Sequence, residues 1–383
     1  MMDKIYMDNG STSFPKAPGV GDAMRDFIEN VGVNIARGGY EEAYSAAEVV
    51  LETREQLCRL FHWDNPQQVV FTSGVTASLN VLLKGFLHPG DRVVTTSMEH
   101  NAVMRPLHQL AEDGVQVEVI SCLGDGSLPL DRLEEALKTR PRALVMLHAS
   151  NVCGTLLPIE EAARLCRQYD VRLIVDSAQT AGIFPIDMQV GIDALAFTGH
   201  KGLLGPQGIG GFLLTQEMAR QVRPLLAGGT GSLSHKEQMP DFMPDRFEPG
   251  TQNLPGIFGL YAALDYLENT GLTAIRQAEL ARTQQLLDGL LPIDGVRVVG
   301  KQGIEGRTAA VSVSFDRLDN GEAAFLLENQ FGIMTRCGLH CAPRAHKTLG
   351  TFPQGTVRFA PGHTTTEEEI RLTLDAIAQV ARG

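Results

Sequence analysis

The sequence predicts an α/β protein: a large unit built on a seven-stranded, mainly parallel sheet, joined to a smaller C-terminal α+β unit. Three observations predict it. Short apolar runs alternate with helix-spaced apolar patterns from Gln68 to Leu214, the signature of strands separated by crossover helices. Beyond about residue 295 that alternation gives way to a different order of strands and helices. The chain has 383 residues, 43% of them hydrophobic, which suits two to three structural units at roughly 100–200 residues each. Residues 15–255 are assigned to the large unit, and 256–383 together with 1–14 to the small one.

The predicted strands of the large unit are Gln68–Thr72, Arg92–Thr96, Val115–Ile120, Ala143–His148, Arg172–Asp176, Ala194–Thr198 and Gly210–Leu214. Helical spacing of apolar residues marks Thr76–Leu87, Val103–Asp113, Leu130–Lys138 and Ile159–Gln168. Gly228–Gly250, rich in Gly, Ser, Pro and Met, has no period and reads as a long loop over a site or an interface. A helix follows from Pro255 and stops at Gly271. In the small unit Arg297–Val299, Ala309–Phe315, Ile333–Arg336 and Val357–Ala360 read as strands, with helices near Gly321–Gln330 and after Thr365. The last helix opens on Thr365-Thr-Glu-Glu-Glu369, where Thr365/Glu368 or Thr366/Glu369 can form a capping box.

Thirty-three Lys and Arg against 45 Asp and Glu give a net charge of −12, which disfavours nucleic acid and anionic membrane surfaces as partners. The N-terminus lacks a signal-peptide pattern and no apolar stretch reaches about 18 residues, so a cytoplasmic protein without a membrane span is expected. Six cysteines without a Cys-x-x-Cys pair suggest neither a disulfide framework nor a metal site, so any important cysteine is expected as a free thiol.

The chemistry is most legible in Arg172-Leu-Ile-Val-Asp-Ser-Ala-Gln179, where Asp176 ends a buried strand at the sheet edge that binds ligands in open α/β folds. One strand later comes Thr198-Gly-His-Lys201, which places a lysine suited to Schiff-base chemistry at the neighbouring strand end. Pyridoxal phosphate needs such a lysine, a carboxylate for its ring nitrogen and a cradle for its phosphate. Ser73-Gly-Val-Thr76, between a strand and a helix N-terminus, is the candidate cradle, with Thr198 and His200 as further donors. His100 is a candidate for stacking on the ring. Singly, each feature has a plainer reading: Asp176 as a cap or turn, His100 as a capping or surface residue, and Gly205–Gly211 as a run that permits close backbone packing. Their order along the chain favours the joint reading.

Taken together the blocks resemble the cysteine desulfurase and selenocysteine lyase family within the class V aminotransferase superfamily. They are Tyr6-Met-Asp-Asn9, Phe71-Thr-Ser-Gly-Val-Thr76, Met98-Glu-His-Asn101, Val175-Asp-Ser-Ala-Gln179, Thr198-Gly-His-Lys201, Phe247-Glu-Pro-Gly-Thr-Gln-Asn253 and Arg336-Cys-Gly-Leu-His-Cys-Ala342. The resemblance spans essentially the whole chain and implies a fold-type I enzyme dependent on pyridoxal 5'-phosphate. It makes Lys201 the Schiff-base lysine, Asp176 the partner of the ring nitrogen, Gln179 a donor to the ring hydroxyl and His100 the stacking and proton-transfer residue. Gly74, Val75, Thr76, Thr198 and His200 would hold the phosphate. Thr251 would reach the phosphate of a neighbouring subunit, which implies a homodimer with shared active sites.

Further carried over, Asn151 would lie near the ring hydroxyl and the substrate, Arg358 would grip the substrate α-carboxylate, and Cys341 would be the sulfur-accepting nucleophile. The expected reaction converts L-cysteine to L-alanine and leaves a persulfide on Cys341, with His340 and backbone dipoles as candidates for lowering the thiol pKa. The alternatives are lysis of L-selenocysteine, or a transaminase or β-eliminating lyase that bypasses Cys341. The short stretch from Cys341 to Arg358 is like that of Suf-type enzymes and points to a sulfur-acceptor protein, with iron–sulfur cluster assembly as one destination. Three positions depart from the family pattern: Tyr40 stands where a substrate-side histidine is common, and Val75 and Ala77 replace more polar residues. Cys337, four residues before Cys341, can resolve a persulfide, bind a metal with His340, or fill space.

Overall fold

The computed structural model describes residues 4–35 and 39–382 of the chain. Its larger sheet has seven strands in the order Val69–Thr72, Gly210–Leu214, Ala194–Thr198, Arg172–Asp176, Ala143–Leu147, Arg92–Thr96, Gln116–Ile120. Six run in one direction and Gly210–Leu214 runs against both of its neighbours. The expected seven strands are all present, with ends shifted by a residue at Gln68, Val115 and His148. The four strands in the middle of this order, from Ala194–Thr198 to Arg92–Thr96, are buried apart from their first residues in two cases, as expected where helices cover both faces.

The glycines at 210 and 211 explain themselves in this sheet. A Cβ on Gly210 would stand 2.7 Å from the Gly74 Cα and from the Phe197 carbonyl, and one on Gly211 would collide with the Val70 carbonyl. The close-packing reading of the glycine run therefore holds at these two positions, and it brings the Gly74 turn against the Thr198 strand end.

The helices Val75–Phe86, Asn101–Glu112, Leu130–Leu137 and Ile159–Tyr169 match the predicted ones to within about two residues. Two long helices were not anticipated, Glu41–Leu60 and Leu272–Leu290. The first buries Thr53, Arg54 and Gln56 beside Val50 and Leu57, and the second buries Glu279 and Thr283 beside Ile275 and Leu286. Polar residues interrupt both apolar stripes, which hides the helical period. Gly228–Gly250 contains no helix or strand and is tied down by Glu248, whose carboxylate accepts from Phe71 N–H and Arg54 Nη2, each at 2.7 Å.

The smaller sheet is antiparallel, in the order Arg336–Gly338, Thr356–Phe359, Val311–Phe315, Val296–Val299. The predicted strand Ile333–Arg336 divides in two. Ile333–Met334 pairs in parallel with Ile5–Tyr6, and Arg336–Gly338 joins the four-stranded sheet. The final helix, Glu367–Arg382, is preceded by the Thr366/Glu369 form of the capping box: Thr366 N–H donates to Glu369 Oε2 at 2.7 Å and Glu369 N–H to Thr366 Oγ1 at 3.2 Å.

The two sheets are bolted together by a buried arginine. Arg307 is fully buried and donates to the carbonyls of Lys301 (2.5 Å), Ala310 (2.6 Å), Cys153 (3.2 Å) and Thr308 (3.3 Å). No carboxylate pairs with it among the described residues, and burial pulls its pKa down to about 10. No helix among the described residues is long and apolar enough to cross a membrane.

Candidate active site

Asp176 and Lys201 are held side by side by neighbouring parallel strands, with Asp176 opposite Ala196 in the register. The loops that follow touch through bare backbone: a Cβ on Gly182 would collide with the Gly202 carbonyl, and one on Gly202 with the Ala181 carbonyl. Asp176 is buried and accepts from Ala178 N–H at 2.9 Å. Burial raises its pKa, while the Ala178 amide and the Lys201 charge oppose the rise. Burial lowers Lys201 to about 8, with Asp176 opposing. The two groups make no direct ion pair, yet each feels the other's charge.

An anion cradle lies at one end. The helix Val75–Phe86 starts at Gly74 without a side-chain cap, which leaves N–H groups of its first turn free. The position of a Gly74 Cβ is 3.5 Å from Thr198 Oγ1, and Thr198 is buried. His200 Nδ1 is buried without a hydrogen-bond partner, and its ring is held neutral at about 4 by burial and by Lys201 and Lys16. Val75 and Ala77 are partly buried here and Thr76 is exposed. Thr251 is not brought into this cluster: it is exposed, in a groove lined by Thr72, Ser73, Ala77 and Gly208.

At the other end stand two arginines that the antiparallel register places opposite one another, Arg336 and Arg358. Arg358 is fully buried; its Nη1 donates to the Asn151 carbonyl at 2.8 Å, and its Nη2 to Asp8 Oδ1 at 2.7 Å and Ser11 Oγ at 2.8 Å. Its Nε has no partner, nor has the buried Asn151 Oδ1. Arg336 Nη1 donates to Ser11 Oγ at 2.9 Å and its Nη2 lies 3.7 Å from Cys341 Sγ. Cys341 is exposed and left-handed at φ 58°, directly after His340 at φ 47°. Its loop is pinned by Asn151 Nδ2 to the His340 carbonyl at 2.8 Å and by Asn101 N–H to the Cys341 carbonyl at 2.7 Å.

This geometry corrects the expectation for His340. Its ring is buried against Thr356 Oγ1 at 2.9 Å, and burial, with Arg358 next in weight, holds it neutral at about 2. A neutral ring cannot act as a counter-charge, and Arg336 is the cation beside the sulfur. Sequence reasoning quoted Arg336 only as the start of a motif. The available signal was strand alternation across the pair with Arg358. Cys337 takes the opposite side of its strand, with Sγ 4.0 Å from the position of a Gly321 Cβ and its thiol pushed up by burial and Asp319. Cys337 is exposed on that side, apart from Arg336 and the Cys341 sulfur.

His100 both caps a helix and belongs to the site. Its Nδ1 accepts from Ala102 N–H at 3.0 Å, and burial, then Lys201, Arg336 and Arg358, lowers it to about 4. Gln179 Nε2 donates to the Gly10 carbonyl at 3.1 Å, and Gln179 lines a cavity with Lys201, Glu279 and His363. Tyr40 is exposed at the start of the helix Glu41–Leu60, and the three residues at 36–38 just before it lie outside the described residues.

Glu279 is an unanticipated member of that cavity. It is 6% exposed, makes no side-chain hydrogen bond among the described residues, and burial raises it to about 8. A carboxyl whose folded pKa is raised favours the folded state least where the unfolded chain ionises it, so its cost grows as pH rises from about 4.5 towards 8. Glu279→Gln is therefore expected to stabilise the fold by roughly 3 kcal/mol more at pH 8 than at pH 5. Urea melts of both proteins at the two pH values measure this; an equal difference at both would show that Glu279 ionises normally.

A half-buried lysine and a buried carboxylate at adjoining strand ends, an uncapped helix N-terminus and a buried arginine on an α/β scaffold suit an enzyme of an anionic ligand. The chain belongs to the aminotransferase class V family, whose model matches residues 5–372, and within it to the cysteine desulfurase family. It is 31% identical to a probable cysteine desulfurase of Methanothermobacter thermautotrophicus, over 100% of this chain and 96% of that one. The apo structure of a cysteine desulfurase from Thermococcus onnurineus NA1 superposes with a TM-score of 0.92 at 29% identity, covering 99% of this chain and 95% of that one. The S-sulfonic acid form of an Escherichia coli cysteine desulfurase gives 0.87 at 27% identity, with the same two coverages.

Proposed function

We propose that the chain is a pyridoxal 5'-phosphate-dependent cysteine desulfurase that converts L-cysteine to L-alanine and takes the sulfur onto Cys341 as a persulfide. The observation that carries this reading is the convergence of Lys201, Asp176, His100, Arg336 and Arg358 within charge range of one another, with the Cys341 thiol at the rim. The buried atoms without partners, His200 Nδ1, Asn151 Oδ1 and Arg358 Nε, support a missing polar ligand at both ends of the space.

The cofactor fits this donor set: Lys201 would anchor it, Asp176 would hold its ring nitrogen, His100 would cover its ring, and Gln179 and Asn151 would lie at its hydroxyl. Gly74, Val75, Thr76, Thr198 and His200 would take its phosphate, with Thr251 added from a second copy of the chain. When bound, it supplies an electron sink for the pair left at Cα. Lys201 Nζ takes the Cα proton, for which a pKa near 8 suits it. Arg358 holds the carboxylate. Cys341 Sγ attacks the substrate sulfur, the C–S bond breaks with its electron pair passing to Cβ, one proton completes the methyl group at Cβ, and Lys201 Nζ returns a proton to Cα to give alanine.

The proposed homodimer is supported by apolar side chains left exposed on one chain, among them Ile28, Tyr44, Leu225 and Leu226, and by the exposed Thr251. A division into residues 15–255 and 256–383 with 1–14, a cytoplasmic setting and a sulfur-acceptor protein belong to the same reading. The test is to incubate the purified protein with L-cysteine and measure alanine and the sulfur mass added at Cys341. Cys341→Ser should lose persulfide and at least 100-fold of desulfuration while still binding the cofactor. Undiminished desulfuration would remove Cys341 from the reaction; selenocysteine lysis that alone survived would mark a lyase.

A further inference from the structure

Arg336 and Arg358 face each other across one strand pair, and among the described residues the only carboxylate bonded to either is Asp8. Ser11 joins all three: its hydroxyl donates to Asp8 Oδ1 at 2.8 Å and accepts from Arg358 at 2.8 Å and Arg336 at 2.9 Å. Two guanidinium charges against one carboxylate leave the cluster one negative charge short. Apart from the Cys341 thiol beside Arg336, the other nearby groups do not supply it. Lys201 and Asp176 offset one another, and His100 and His340 are neutral.

Burial sharpens the imbalance. Arg358 is 1% exposed and Asp8 20% exposed, so water screens the pair only from the Asp8 side. Three of the five N–H donors of Arg358 are already engaged, by Asn151, Asp8 and Ser11, which leaves Nε and the second N–H of Nη1 as its free donors. A carboxylate arriving at Arg358 alone would meet its remaining N–H groups with the Asp8 charge beside them.

We propose that Asp8 and Ser11 hold Arg336 and Arg358 as a two-arginine carboxylate clamp that is one anion short, and that the substrate α-carboxylate completes it between the two guanidiniums. Arg336 is then a specificity residue as well as the cation beside Cys341, and Asp8 is a resident counter-charge that sets the capacity of the clamp at one carboxylate. This rests on the proposed function only in taking the α-carboxylate as the ligand.

The experiment uses the cofactor-loaded protein and propionate, a carboxylate with no amine to react, with propionamide as the neutral control. Propionate affinity is measured by NMR line broadening at fixed ionic strength, without turnover. Arg336→Gln is expected to weaken propionate at least tenfold and Arg336→Lys to recover part of the loss, whereas Asp8→Asn is expected to tighten it at least threefold. Propionate bound as well by Arg336→Gln as by the unsubstituted protein would overturn the clamp, and weaker binding by Asp8→Asn would overturn the counter-charge. Should Asp8→Asn not fold, the two Arg336 variants decide alone. Failure to form alanine from cysteine would sink the desulfurase reading and leave the propionate result standing.

Discussion

Replacing Lys201 by Ala is expected to cost at least 10⁴-fold in turnover and to abolish covalent attachment of the cofactor, because no other amine is placed to substitute for it. The next lysine near the site, Lys16, donates to Thr12, Ser13 and the His200 carbonyl and is engaged there. The burial that lowers Lys201 to about 8 matters for rate as well as for geometry. At pH 7.5 the fraction of neutral amine is about two orders of magnitude larger than for a lysine at 10.5. Attachment should therefore speed up with pH and level off just above 8. Borohydride reduction followed by peptide mass analysis reads the attachment site directly. Cofactor mass fixed to the Lys201→Ala protein, or undiminished activity, would exclude Lys201 as the anchor.

The largest effect expected on stability comes from Arg307. Arg307→Met keeps most of the side-chain volume but leaves four carbonyls, those of Lys301, Ala310, Cys153 and Thr308, without their donors in a buried seam. Each buried acceptor left unmade costs about 1–3 kcal/mol, and removing the guanidinium recovers only its own desolvation. The carbonyls win that comparison, for a net loss on the order of 4–6 kcal/mol. A fall in Tm of about 5–7 °C is the expected result. Arg307→Lys, with three donors and a compact charge, should recover part of it. A Met variant as stable as the parent would show that the carbonyls find other donors. Cys153 lies two residues from Asn151, so cofactor affinity should fall with stability.

Much of the site was legible because its chemistry sits at strand ends. A buried apolar run that stops at Asp176, and another that stops at Thr198 just before Lys201, fix their placement through sheet topology alone. The cap at His100 and the turn at Gly74 were legible for the same reason, each lying between a strand and a helix. What escaped depended on pairing between distant segments. The run Ile333–Arg336 looked like one strand because nothing in it records that its first half pairs with Ile5–Tyr6 and that Arg336 crosses to Arg358. The assignment of thiol chemistry to His340 failed because adjacency in sequence does not give side-chain direction in a left-handed turn. Glu279 and Arg54 escaped because a charged residue on an apolar helical stripe reads as its exposed face.

Asp8 and Arg358 are 350 residues apart in sequence, and the segment that delivers Asp8 pairs with Ile333–Met334 and bridges to Ala360. While the chain is being synthesised, its first folded strand has to wait without a partner until nearly all the rest has left the ribosome. A contact between segments so distant carries a large loop-closure cost and forms late. The growing polypeptide can thus assemble its lysine–aspartate edge early and still lack the contact between Asp8 and Arg358.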